Sequence, residues 1–263
     1  MERLHADVDL AGFFQRLARA SERVLFLDFD GTLAPFRDNR HDVVPYDGIP
    51  ERLDAVLAEG HTRVVVVTGR VVWEMPELLQ LHCTPEIWGT HGWQRRHPDG
   101  CVEGPSLDAA TERALSEAHA RAQSLQLGDR LERKPATVAV HTRGLAEDEV
   151  ESLTGRVEAL WSPLARDSSA ELHAFDGGLE MRVPGCDKGT AVRTVLREME
   201  APIAAYLGDD HTDEDAFRAL DGYGLRVLVR STFRETGADV WIRPPTELLA
   251  WLDRWRRVAK GGT

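Results

Sequence analysis

Two four-residue runs, Val24-Leu25-Phe26-Leu27 and Val64-Val65-Val66-Val67, are apolar at every position, and each leads straight into polar, glycine-containing sequence. A strand with one wet face alternates apolar and polar residues, so an unbroken apolar run fits a strand covered on both faces, as in a parallel sheet between helices. The stretch between them supplies the crossover. Pro50 to Glu59 has a proline near its start, Leu53, Val56 and Leu57 at helical spacing and Gly60 just past its end, so the unit reads strand, helix, strand. The same grammar returns late in the chain. A helix from about Lys188 places Ala191, Val192, Val195, Leu196 and Met199 on one face, and a strand follows from Ile203 to Leu207. A helix at Glu214 to Leu220, strands at Leu225 to Val229 and Asp239 to Ile242, and a closing helix at Thr246 to Arg257 with a Leu248, Leu249, Leu252 and Trp255 stripe complete it.

The middle of the chain has another rhythm. Leu107 to Leu125 and Glu147 to Trp161 read as helices, whereas Thr137 to Arg143, Glu171 to Phe175 and Leu179 to Val183 alternate like half-covered strands. Asp176-Gly177-Gly178 is a hairpin signal between the last two. An α+β module over residues 94–183 is therefore expected inside a parallel α/β domain built from 1–93 and 184–263.

Composition narrows the function. Lys and Arg number 32 against 44 Asp and Glu, a formal net charge of −12, which argues against nucleic acid or an anionic membrane as partner. No leader-like or membrane-length apolar stretch is evident. The three cysteines, Cys83, Cys101 and Cys186, are scattered and odd in number, which fits a reduced, cytoplasmic protein without disulfides or zinc. Composition leaves the oligomeric state open, with a monomer favoured.

Four segments carry chemistry. Asp28-Phe29-Asp30-Gly31-Thr32-Leu33 follows the first buried strand, where open α/β sheets bind ligands. Two carboxylates one residue apart can serve one reacting centre as nucleophile and proton donor, or can simply cap a turn. Thr68-Gly69-Arg70 follows the second strand and offers a hydroxyl and backbone N–H groups to phosphate, or a capping Thr and a turn glycine. Lys188 opens a helix against the helix dipole, so an anion is expected to compensate it. Gly208 to Asp215 packs Asp209, Asp210, Asp213, Glu214 and Asp215 after a strand. Such density repels itself unless a hard cation or a helix N-terminus is near, and Asp209 is the best candidate ligand.

In this order the four segments resemble the haloacid dehalogenase superfamily of phosphohydrolases. That resemblance implies a Rossmann-like core, its parallel sheet flanked by helices on both faces, with an inserted α+β cap. It further implies Asp28 as nucleophile, Asp30 as general acid and base, Thr68 and Lys188 as phosphate holders, and Mg²⁺ held by Asp28, Asp209 and the Asp30 carbonyl, with Asp210 and Asp213 supporting its water shell. Gly69 and Arg70 are counted with the substrate-binding residues. The insert's position, together with Phe26 to Pro35, Gly89-Thr90-His91-Gly92, Leu131-Glu132-Arg133-Lys134 followed by His141 and Arg143, Leu179-Glu180-Met181-Arg182, and Gly208 to Phe217, is similar to the trehalose-6-phosphate phosphatase family. The family implies a cap that closes on the sugar, with Glu132, Lys134 and Glu180, and also His91, Arg143 and Arg182, as substrate contacts. Its substrate, trehalose 6-phosphate, becomes the expected one. Trp93, where the family usually has a small residue, leaves another disaccharide-like or pseudo-sugar phosphate open, and a non-catalytic sugar-phosphate sensor or a mutase are the rivals of another kind.

Overall fold

The computed structural model describes residues 1–37, 43–175, 177–185 and 187–261. Asp176 of the expected hairpin turn and Cys186 lie outside them. In chain order the elements are β1 (Glu2–Arg3), α1 (Leu10–Arg19), β2 (Arg23–Leu27), α2 (Ile49–Glu59), β3 (Arg63–Val67), α3 (Met75–Leu79), β4 (Glu86–Gly89), β5 (Gln94–Arg96) and β6 (Val102–Glu103). Then come α4 (Ala109–Gln123), β7 (Leu131–Lys134), β8 (Thr137–His141), α5 (Glu147–Arg166), β9 (Glu171–Phe175) and β10 (Gly178–Arg182). The chain closes with α6 (Lys188–Arg197), β11 (Ile203–Gly208), α7 (Asp213–Ala219), β12 (Gly224–Val229), β13 (Val240–Ile242) and α8 (Thr246–Ala259). No helix among the described residues is long and apolar enough to cross a membrane.

Residues divide into two compact units, Met1–Gly104 with Asp187–Thr263, and Pro105–Cys186. The first holds a nine-stranded sheet ordered β1-β13-β12-β11-β2-β3-β4-β5-β6. Strands from β13 to β4 run parallel, and β1, β5 and β6 pair antiparallel at the edges. Gln94–Arg96 thus continues this sheet, although the sequence places it at the start of the insert, because its residues pair with Ile87, Trp88 and Gly89 of β4.

The buried strand runs explain the layers. Leu25, Leu27, Val64, Val66, Ala205 and Leu207 join one core with Phe13, Leu17, Leu53, Trp251 and Trp255 of α1, α2 and α8. Their neighbours Val24, Phe26, Val65, Val67, Ala204 and Tyr206 join a second core with Val192, Val195 and Phe217 of α6 and α7. Successive strand residues point to opposite faces, so an all-apolar run is what a sheet buried on both sides requires. α1 is missing from the sequence reading, although Asp9 precedes Leu10, Phe13, Phe14 and Leu17 at helical spacing. Asp9 caps it by accepting from the Gly12 N–H at 2.8 Å, and Phe13, Phe14 and Leu17 are buried on it.

The second unit is a four-stranded antiparallel sheet, β7-β8-β10-β9, with α4 and α5. α5 continues past the expected end at Trp161, through Pro163 to Arg166. Burial of Trp161 and Leu164, with the Trp161 indole donating to the Ala118 carbonyl at 2.9 Å, outweighs the hydrogen bond a proline deletes.

Candidate active site

Sheet order brings the distant motifs together. β2 lies between β11 and β3, so Asp28, Thr68 and Asp209 leave three adjacent parallel strands at their carboxyl ends, and the Asp28 N–H donates to the Leu207 carbonyl at 2.9 Å. Lys188 arrives at the N-terminus of α6, which Asp187 caps by accepting from the Thr190 N–H at 2.7 Å. All four residues are buried.

The anion that the sequence demanded beside Lys188 is present twice. Its ammonium donates to Asp28 Oδ1 and to Asp213 Oδ1, each at 2.7 Å. Burial alone would lower the lysine, but Asp213 and Asp28 outweigh it and keep it protonated. Asp28 behaves in the opposite sense: burial pushes its carboxyl up to about 7 against the pull of Lys188, and Asp213 and Asp30 add to the rise. Burial, then Asp28 and Asp213, also push Asp209 well up.

Asp28, Asp209 and Asp213 each offer an oxygen within 4.8 Å of the others, all from buried residues. With all three carboxyls ionised, the one ammonium leaves two negative charges in excess, which a divalent cation would offset, and the raised Asp28 and Asp209 carboxyls mark the cost of holding that charge without one. Asp209 Oδ1 is buried without a hydrogen-bond partner, and such an orphan among hard oxygen donors fits a metal ligand. Asp213 differs, because its two oxygens already accept from Lys188, Tyr206 and the Asp209 and Asp210 N–H groups. It organises the loop and the lysine together. Asp210 is half-buried and accepts from the His211 N–H at 2.7 Å.

Thr68 Oγ1 accepts from the Arg70 N–H at 3.1 Å. Gly69 lets the His91 ring lie close against this turn: a Cβ would stand 2.6 Å from it, so any larger residue would have to push the imidazole aside. His91 and Thr90 both adopt left-handed backbone, φ 53° and 50°, and the His91 N–H donates to the Thr68 carbonyl at 3.0 Å. Left-handed backbone at two non-glycine residues is strain held by its surroundings, a common mark of functional turns. Arg70 reaches back to Asp30 in a bidentate pair.

The remaining predicted contacts lie in the second unit, where strand register puts several on one sheet face. Glu132 pairs with Ala139, and Ala139 with Glu180. Lys134 pairs with Thr137, and Thr137 with Arg182. Since residues opposite or two apart share a face, Glu132, Lys134, Glu180 and Arg182 all project together, while Val138, Val140, Leu179 and Met181 turn to the other side. Glu132 Oε2 meets Lys134 at 3.3 Å and His141 at 3.0 Å. Glu180 Oε1 lies 3.5 Å from Arg182. Arg143 follows β8, its side chain packing over Gly177 and its carbonyl accepting from Arg130 at 2.9 Å.

Three site residues escape the sequence reading. Thr32 Oγ1 donates to Asp28 Oδ2 at 3.1 Å, and its place inside the Asp28 motif was the available signal. Tyr206, read only as a strand residue, donates its hydroxyl to Asp213 Oδ1 at 2.7 Å. Arg234 donates to the carbonyls of Asp209 at 2.9 Å and Asp210 at 2.7 Å while pairing with Glu214 at 2.6 Å. No motif marks it.

Gly31 offers a direct test of how tightly this loop is built. Its φ is +87°, and a Cβ there would stand 2.2 Å from Asp209 Oδ2. Gly31→Ala is expected to destabilise the protein by about 1–3 kcal/mol and to weaken divalent-cation binding by displacing Asp209. Thermal unfolding with and without Mg²⁺ checks both, and an unchanged Mg²⁺-induced shift would refute the displacement.

The chain is similar to known proteins in sequence and fold. The family model for trehalose-phosphatase matches residues 26–236. A Mycobacterium marinum trehalose-phosphate phosphatase is 32% identical over 222 residues, covering 78% of this chain and 53% of that protein. An uncharacterized glycosyl hydrolase of Mycobacterium tuberculosis is 31% identical over 231 residues, covering 82% of this chain but 17% of its own length. The chain therefore spans about half of one of these relatives and a smaller part of the other. A solved structure described as a trehalose-6-phosphate phosphatase related protein superposes with a TM-score of 0.66 at 26% identity, over 90% of this chain and 95% of that one.

Proposed function

The chain belongs to the trehalose-phosphatase family of the haloacid dehalogenase superfamily, and from that premise we propose that it is a cytoplasmic, Mg²⁺-dependent phosphatase converting trehalose 6-phosphate to trehalose and phosphate. The observation that carries this reading is the buried Asp28-Lys188-Asp213 bridge beside Asp209, with Asp30 two residues from the nucleophile.

Asp28 attacks phosphorus, and the bond from phosphorus to the sugar oxygen breaks as the aspartyl-phosphate bond forms. Asp30 gives its proton to the departing alkoxide. Water then attacks the aspartyl-phosphate, Asp30 takes the proton, and Asp28 is freed with inorganic phosphate. Lys188, the Thr68 hydroxyl, the Gly69 N–H and His91 orient the phosphate oxygens, and the ammonium offsets the repulsion between two anions. Asp28, Asp209 and the Asp30 carbonyl would hold Mg²⁺, with Asp210 and Asp213 keeping the loop and its water shell in place. When bound, the ion supplies charge neutralisation at the phosphate. Glu132, Lys134 and Glu180, with Arg143 and Arg182, are assigned to the sugar, and their shared face on the second unit's sheet supports the first three and Arg182 acting as a group.

Phosphate release from trehalose 6-phosphate, glucose 6-phosphate and a panel of other sugar phosphates, with Mg²⁺ or with EDTA, tests the proposal. A metal-dependent preference for trehalose 6-phosphate is expected. Turnover confined to another sugar phosphate would keep the chemistry and discard the sugar assignments; isomerised product without free phosphate would mean a mutase; binding without turnover would mean a sensor.

A further inference from the structure

Arg70 sits in the Thr68-Gly69-Arg70 segment, read from sequence as phosphate-facing, yet its guanidinium is committed elsewhere. Nε donates to Asp30 Oδ2 and Nη2 to Asp30 Oδ1, each at 2.7 Å. The arginine side chain is 7% exposed and that of Asp30 27%, so the buried partner is the one that anchors. Its position is fixed from other sides as well. The Arg70 N–H donates to Thr68 Oγ1 at 3.1 Å, its carbonyl accepts from the Thr90 N–H at 2.8 Å, and its guanidinium carbon lies 5.6 Å from the centre of the Phe29 ring. Glu74 stands further off, 3.9 Å from Nη1.

A planar fork gripping both oxygens sets the plane of a carboxylate as well as its place, which the point charge of a lysine does not. Each Asp30 oxygen spends one lone pair on Arg70 and keeps another for the reacting oxygen. Proton transfer in the transition state needs that oxygen within hydrogen-bond reach and correctly aimed. An aspartate free to rotate about two torsions would spend most of its time misdirected.

We infer that Arg70 is a positioning residue for Asp30, holding the carboxylate in the plane from which it exchanges a proton with the leaving group, and that it is not itself a grip on the substrate phosphate. The inference rests on the proposed role of Asp30 as proton donor. Arg70 gives and takes no proton.

The test compares kcat/KM on trehalose 6-phosphate and on p-nitrophenyl phosphate for the wild type, Asp30→Asn, Arg70→Met and Arg70→Lys. This constant covers steps up to aspartyl-phosphate formation and excludes the later attack of water. A sugar alkoxide needs a proton to leave, whereas p-nitrophenolate leaves without one. Asp30→Asn and Arg70→Met are both expected to lose about 100-fold on the sugar phosphate and less than about 3-fold on the aryl phosphate, with Arg70→Lys in between. Turnover of the aryl phosphate also shows that each variant is folded, and Arg70→Lys carries the comparison should Arg70→Met not fold. Equal losses on both substrates, or a KM raised about 10-fold on both, would overturn the inference in favour of a structural or phosphate-gripping role. If Asp30→Asn itself shows no dependence on the leaving group, the proton-donor reading fails first and the role of Arg70 falls with it.

Discussion

Asp28→Asn is expected to abolish turnover, lowering kcat on trehalose 6-phosphate by about 10⁴-fold or more, while leaving the fold in place. The amide has the carboxylate's shape: its one oxygen can take the Oδ1 place and accept from Lys188, now 2.7 Å from Asp28, while its NH2 takes the Oδ2 place and donates to the Thr32 hydroxyl, now 3.1 Å away, which turns from donor to acceptor. The amide lacks the anionic oxygen proposed to attack phosphorus. Stability should move the other way from activity. Burial raises the Asp28 carboxyl to about 7 in the folded protein, from 3.8, so the native state holds the proton more tightly than the unfolded chain and loses stability as pH rises between those values. A neutral amide escapes that loss. With EDTA present, the variant should melt at or above the wild-type temperature at pH 8, and the gap should narrow toward pH 5. Phosphate release and thermal unfolding measure the two effects, and residual activity near the wild type would remove the nucleophile assignment.

How much of this site could be read from the chain depends on whether each contact is local or tertiary. The strand runs ending at Leu27 and Val67 were legible because burial on both faces leaves an unambiguous apolar signature. Motifs that follow such strands then had to meet wherever the strands became neighbours. β4 hid from the same reasoning, because it carries Glu86, a buried charge in a four-residue strand that Arg63 meets at 2.7 Å and Arg95 at 2.9 Å. An ion pair that becomes acceptable only after folding cannot announce a strand beforehand. Lys188 was suspected from its clash with the helix dipole, and its two carboxylates explain the position. Tyr206 looked like packing, since its ring does pack, 6.2 Å from Phe26 and 5.7 Å from Phe217. Only the arrival of α7 gives its hydroxyl a partner. Arg234 is the extreme case: it braces the Asp209 and Asp210 carbonyls from a segment with no motif, through contacts that exist only in three dimensions.

Lys188→Ala is expected to be costly in both activity and stability, because the same ammonium serves both. It bridges Asp28 and Asp213 at 2.7 Å inside a cluster that also contains Asp209, and its own side chain is 4% exposed. Removing it leaves three buried carboxylates within 4.8 Å of one another without their cation. Breaking a buried pair from one side costs about 3–5 kcal/mol, since the surviving charge stays desolvated and unpaired, and at about 2–4 °C per kcal/mol the melting temperature should fall by roughly 10 °C. The cluster then has one remaining route to neutrality. Mg²⁺ should therefore raise the melting temperature of Lys188→Ala more than that of the wild type, because a divalent cation offsets a larger excess of negative charge there. Turnover should stay low even in saturating Mg²⁺, for the proposed phosphate contact at Nζ is gone. A melting temperature insensitive to both the substitution and the metal would mean that the three carboxylates are not ionised together, and the electrostatic account of the cluster would have to be abandoned.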